Sequence, residues 1–119
     1  MGKLLVHLTH GPEAPTRAAL AFLVAKTAAD EGHEVSMFLA GDSVQLLREA
    51  VLDALQGLGT GGLREHFDAL VAADVAVYAS GMSSKARAVV AADVPASVQM
   101  APPDRLVQLV FEADRVLTY

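Results

Sequence analysis

The chain is predicted to fold as an α/β domain, a three-layer α/β/α sandwich around a mostly parallel sheet, and three observations carry that reading. Short apolar runs recur along it without polar alternation, the pattern of strands covered on both faces. Segments of helical character separate most of these runs, giving a strand–helix alternation. The apolar stock is aliphatic: 53% of residues are hydrophobic, yet only four Phe, two Tyr and no Trp are present. The core is therefore one of Ala, Val and Leu. At 119 residues the chain fits a single domain, 1–119, large enough for a core without disulfides or a structural metal.

The elements follow in order. Lys3–Thr9 reads as a first strand, broken by Gly11-Pro12. Pro15–Glu31 reads as a helix, with Pro in its first turn and Gly32 just past its end. It is apolar without interruption from Ala18 to Ala25, so it is expected to be buried on more than one side, against the sheet and against another subunit. Val35–Ala40 is the second strand. Val44–Leu55 is a helix with Asp42 or Ser43 as its cap. Gly57–Gly62 holds four of the nine glycines and reads as a mobile loop, a candidate lid over the site edge. It lacks the Gly-Lys-Ser/Thr ending of a phosphate loop and follows no strand. Leu63–Ala73 is a helix and Val75–Ala79 the third strand. Ser83–Ala92 is the next helix, Pro95–Met100 a weak strand, Pro103–Ala113 a helix and Arg115–Tyr119 the last strand.

Composition excludes several function classes. Without cysteine there is no disulfide, no thiolate metal site and no thiol nucleophile or sulfur carrier. Fourteen acidic residues against nine basic ones argue against nucleic acid as a partner. No apolar run approaches the ~20 residues needed to cross a bilayer, and no secretory h-region is visible. A cytoplasmic protein with no membrane partner is the expectation.

In an open parallel sheet, sites form where strands end and helices begin. Three such ends carry polar chemistry: Thr9-His10-Gly11-Pro12-Glu13, Gly41-Asp42-Ser43 and Ser80-Gly81-Met82-Ser83-Ser84. The third is the richest. A helix opening there would offer free N–H groups and a positive dipole end, with Lys85 and Arg87 beside it, a setting for an anionic or polarised group. The expected binding residues are Ser80, Gly81, Ser83, Ser84, Lys85 and Arg87, with His10 and Asp42 on the opposite wall. Each has an ordinary reading too. Ser83 or Ser84 caps the helix, and Lys85 and Arg87 are solvated helix residues with Glu13 or Asp42 for compensation. His10 is the weak catalytic candidate, since an acid–base role needs a carboxylate within reach. His7 and His33 read as structural, and no metal site is expected, His10, Glu13 and Asp42 being a remote candidate set. No Gly-x-Ser-x-Gly nucleophile elbow is present, and no cofactor is implied.

The pattern resembles the DsrE/DsrF-like family of sulfur-relay proteins. The resemblance rests on the opening strand with Gly11-Pro12-Glu13, on Gly32-His33-Glu34-Val35 leading to Met37-Phe38-Leu39-Ala40-Gly41-Asp42, on Tyr78–Arg87, and on the ending Glu112–Tyr119. It implies a five-stranded sheet of order 4-3-2-1-5, assembly into homo-oligomers (trimers or hexamers), and a role in cytoplasmic sulfur transfer on a cysteine near the third strand's end. Here that stretch offers Ser80, Ser83 and Ser84, and a hydroxyl cannot form a persulfide. The resemblance thus implies a non-catalytic member binding a small anionic ligand or metabolite, or a sulfur-carrying partner protein. The rival readings are an enzyme using His10 as acid or base, and a structural subunit of a hetero-complex.

Overall fold

The computed structural model describes all 119 residues. β1 (Lys3–Leu8) leads through the His10–Ala14 turn into α1 (Pro15–Asp30), and Gly32, at φ +91°, turns the chain into β2 (Glu34–Leu39). A 3-10 segment over Gly41–Leu47 precedes the short α2 (Glu49–Ala54). β3 (Gln56–Gly57) and β4 (Gly61–Gly62) form a small antiparallel hairpin before α3 (Leu63–Ala72). β5 (Ala76–Ser80), α4 (Gly81–Ala86), β6 (Gln99–Ala101), α5 (Pro103–Glu112) and β7 (Arg115–Thr118) complete the chain.

The main sheet has five strands in the order β6-β5-β2-β1-β7, every neighbouring pair parallel. Counting only its strands, this is the 4-3-2-1-5 order that the resemblance implied. Parallel pairing sets the carboxyl ends of β1, β2 and β5 side by side, with Leu8 opposite Leu39 and Leu39 opposite Ala79.

The two faces are covered unequally. Val6, Leu8, Met37, Leu39, Val77 and Ala79 point into a cluster of 21 buried residues, closed by α1, the 3-10 segment, α2 and α3. The alternate residues Leu5, Phe38 and Tyr78 enter a cluster of five, completed by Ala101 and by Leu109 from α5. One ten-residue helix is the main cover on that face. Phe111 remains 86% exposed, and Val107, Val110 and Val116 are exposed beside it. α1 buries Ala18, Ala19, Ala21, Phe22 and Ala25; of its apolar positions Leu20 is the one left well exposed, at 38%. The exposed apolar surface expected on α1 lies chiefly on α5 instead.

Four segments differ from their sequence reading, one being the strand expected over Pro95–Met100, which forms only at Gln99–Ala101. Val44–Leu55 is not one helix: Arg48 takes extended backbone angles between the 3-10 segment and α2. Neither Asp42 nor Ser43 caps it. Ser43 donates instead to the carbonyls of Leu8 (2.6 Å) and Ala40 (2.7 Å), where a side-chain hydroxyl outcompetes regular helix. The glycine-rich run is no lid: Leu58 N–H donates to Thr16 Oγ1 at 3.0 Å, and a Cβ on Gly57 would meet Thr16 and Ala19, so the hairpin lies on α1. The helix after β5 stops at Ala86, because Ala88 adopts a left-handed φ of +55°.

His7 lies on the thinly covered face, edge-on to Phe38 at 6.2 Å between ring centres, and its buried Nε2 has no hydrogen-bond partner. Desolvation lowers its pKa below the ordinary 6.5. The folded protein therefore favours the neutral ring. Its contribution to stability is complete above pH 6.5 and is lost as the pH falls below that value, where the unfolded chain takes up a proton that the folded chain refuses. Denaturant melts across this range should show stability declining with acid, and His7→Gln should flatten that slope; an unchanged slope in the variant would refute the assignment.

Candidate functional site

The carboxyl ends of β1, β2 and β5 form the expected edge, and their loops are knit to one another. Gly11 packs so closely on the next loop that a Cβ there would fall on the Asp42 carbonyl, which is why only glycine fits. Gly41, at φ +60°, turns β2 out of the sheet and donates its N–H to Ser83 Oγ at 2.8 Å. Asp42 Oδ1 accepts from Arg87 Nε (3.1 Å) and Nη2 (2.9 Å), while Arg87 Nη1 donates to the Ser83 carbonyl at 3.2 Å.

The serines have separate duties. Ser80, rather than Ser83 or Ser84, caps α4: its Oγ accepts the Ser83 N–H at 3.1 Å. Ser83 uses its hydroxyl on Gly41. Ser84 is 2% exposed and its Oγ has no partner, so it faces the core. Of the three, Ser80 and Ser83 are the ones brought to the edge.

The helix's shortness also reverses the charge argument. With six residues, α4 carries Lys85 in its last turn and Arg87 at its C-cap. The two cations therefore sit at the negative end of the peptide dipoles, where they are favourable, and not at the positive end. Lys85 is exposed and forms neither a hydrogen bond nor an ion pair, while Met82 is 68% exposed on the same short helix. Arg87 is held by Asp42, whose carboxylate cancels its charge and repels an incoming anion. None of the five principal cavities is lined by Ser80, Gly81, Ser83, Ser84, Lys85 or Arg87.

His10 is brought to the edge but not to a carboxylate. Its Nε2 lies 3.0 Å from Arg17 Nη1. Arginine only donates, so Nε2 accepts and the proton of the neutral ring sits on Nδ1, which is buried without a partner. Glu13 Oε1 accepts the Gly11 N–H at 2.7 Å instead of orienting His10. With Asp42 engaged by Arg87, the three residues form no cluster of metal ligands.

One residue escaped the sequence reading. Arg48 donates to the carbonyls of Arg87 (3.1 Å) and Ala88 (3.4 Å), to Gln45 Oε1 (2.6 Å), and pairs with Asp93 at 3.4 Å. It satisfies acceptors just past the end of α4 from another element. Removing the Ser83 hydroxyl would leave the Gly41 N–H, partly buried, without an acceptor. Ser83→Ala should cost about 1–2 kcal/mol in chemical denaturation, whereas Lys85→Ala should change stability little; equal effects would show that the Gly41–Ser83 bond carries no weight.

Comparison with known proteins places this geometry. Three solved structures share the fold. The YchN protein of E. coli has a TM-score of 0.83 at 18% identity, covering 100% of both chains. A conserved protein of unknown function from Bacteroides thetaiotaomicron, BT1422, has a TM-score of 0.75 at 12% identity, over 99% of this chain and 95% of its own. A protein of unknown function from Methanobacterium thermoautotrophicum, MTH1491, has a TM-score of 0.72 at 13% identity over 100% of both chains. At these identities the likeness concerns the fold alone. No curated protein matches the sequence. The model of the DsrE/DsrF-like family matches residues 2–119, and the chain belongs to that family.

Proposed function

We propose that this chain is a non-covalent docking subunit of the sulfur-relay type: a homo-oligomer that presents the α4 junction to a cysteine-bearing relay partner. The observation that carries the reading is the contrast within that junction. Its polar frame is satisfied internally by Ser80, Ser83, Asp42 and Arg87, while Met82 and Lys85 point outward from it unengaged. A fixed frame bearing one exposed thioether and one free cation suits a protein surface, because a mobile partner meets no reorganisation on this side. With no thiol in the chain, transferred sulfur would remain on the partner throughout.

The two alternatives fit less well. A small anion would have to draw Arg87 away from Asp42 and then sit beside that carboxylate. Acid–base catalysis by His10 would need an oriented carboxylate, and its neighbour is Arg17.

Assembly is supported by the outer face of α5. Burying Phe111 alone would contribute roughly 2 kcal/mol per protomer, and Val107 and Val110 extend the same apolar stripe. Light scattering should find an oligomer for the unaltered protein and smaller species for Phe111→Asp; an oligomer that ignores the substitution would move the interface elsewhere.

Co-purification with the cysteine-bearing relay subunits of the same host, identified by mass spectrometry, tests the docking role. Met82→Asp combined with Lys85→Glu should abolish their recovery and leave the oligomer intact. Undiminished recovery would sink the reading. A phosphate-induced rise in melting temperature that Arg87→Ala removes would favour the small-anion alternative instead.

A further inference from the structure

A second polar region lies at the opposite edge of the sheet, beneath α5. Ser36 on β2 and Ala76 on β5 are register partners and point to the thinly covered face. Both are small, so between Leu109 and the strand starts they leave a hollow of about 290 Å³. That is close to the lower bound of pockets that enclose small ligands, about 300 Å³.

The charges around this hollow cancel one another only in part. Lys3 and Glu34, cross-strand neighbours at its rim, pair at 3.1 Å. Arg105, Asp74 and Glu112 also line it, and none of these three takes part in any ion pair of the chain. Arg105 is nonetheless held in place. Its guanidinium lies 5.3 Å from the centre of the Tyr78 ring, and it donates to Tyr78 Oη at 3.0 Å and to Gln108 Oε1 at 3.2 Å. It is a positioned cation whose hydrogen-bond partners are all neutral. Arg105, Leu109 and Glu112 follow the i, i+4, i+7 spacing of one helix face, so one side of α5 carries a cation, an apolar contact and an anion in sequence.

We propose that this hollow binds a small zwitterion of the α-amino acid class with an aliphatic side chain. Its carboxylate meets Arg105, its ammonium meets Glu112 and Asp74, and its side chain lies on Ala76 and Leu109. A lone anion would face two unpaired carboxylates and a lone cation would face Arg105. Only a molecule carrying both charges answers both. This site is separate from the α4 junction and stands whether or not that junction docks a partner.

The test is an amide-resolved NMR titration of the whole chain with L-leucine, with isovalerate (no ammonium) and isoamylamine (no carboxylate) as single-charge controls. L-leucine should cause saturable shifts at Ser36, Ala76 and Glu112, with each control at least about tenfold weaker. Arg105→Gln and Glu112→Gln, both at positions on the helix surface, should each weaken L-leucine by about tenfold. A control that binds as well as L-leucine would overturn the zwitterion assignment. The absence of saturable shifts with all three compounds, or binding indifferent to both substitutions, would overturn the site.

Discussion

Unequal cover on the two faces of one parallel sheet is the constraint from which most features of this molecule follow. Parallel strands need crossover connections, and most of the helical mass falls on one side, where α1, α2, α3 and the 3-10 segment close a 21-residue aliphatic core. That side is finished. The other has α5 as its main cover over a five-residue cluster. An aromatic residue exposed beside a small core is costly to leave in water, at roughly 25 cal/mol per Å² of apolar surface. The thin face therefore holds Phe111, the half-covered His7 and the hollow above Ser36 and Ala76. Each is a consequence of one thin layer.

The carboxyl edge shows the opposite condition. Parallel pairing delivers three loops to one place, and their backbone groups must find partners outside the ladder. They find one another: Gly41 with Ser83, Ser83 with Ser80, Asp42 with Arg87, and the carbonyls of Arg87 and Ala88 with Arg48. Individually the exposed ion pair is weak, since Asp42 is 61% exposed and such pairs contribute about 1 kcal/mol or less. Collectively the contacts fix the position of α4 relative to β2 without any bound molecule. The Ser84 hydroxyl and His10 Nδ1 stay outside this network, buried without partners.

Much of the fold was legible because it rests on local signals. Short apolar runs without polar alternation marked β1, β2 and β5, and Pro15 with Gly32 bounded α1 to within a residue. The family pattern supplied the strand order. The site was legible only as a location. Ser83 and Gly41 are 42 residues apart, and Arg87 and Asp42 are 45 apart, so their pairing is a tertiary fact that no spacing rule expresses. The length of α4 turned on Ala88 adopting a left-handed conformation, which a residue other than glycine or asparagine does not advertise. That one dihedral moved Lys85 and Arg87 from the start of a helix to its end and changed the sign of their interaction with the dipole. The glycine run misled for a related reason. Glycines permit mobility, but Gly57 is required here because the chain crosses α1 too closely for a side chain.

The hydroxyl at Ser80 completes the physical picture. Its oxygen sits where the α4 backbone presents an N–H, a position that would stabilise a thiolate and lower a thiol's pKa. A serine there accepts the same hydrogen bond at 3.1 Å and keeps the cap, the turn and the register of everything downstream. The two side chains are interchangeable for architecture and not for sulfur chemistry, because the hydroxyl neither ionises near neutrality nor accepts a sulfane sulfur. Serine at Ser80 can thus keep the architecture of this strand–helix turn, while no persulfide can form on the chain itself. What projects beyond that turn is Met82, 68% exposed, and Lys85 in the last turn of α4.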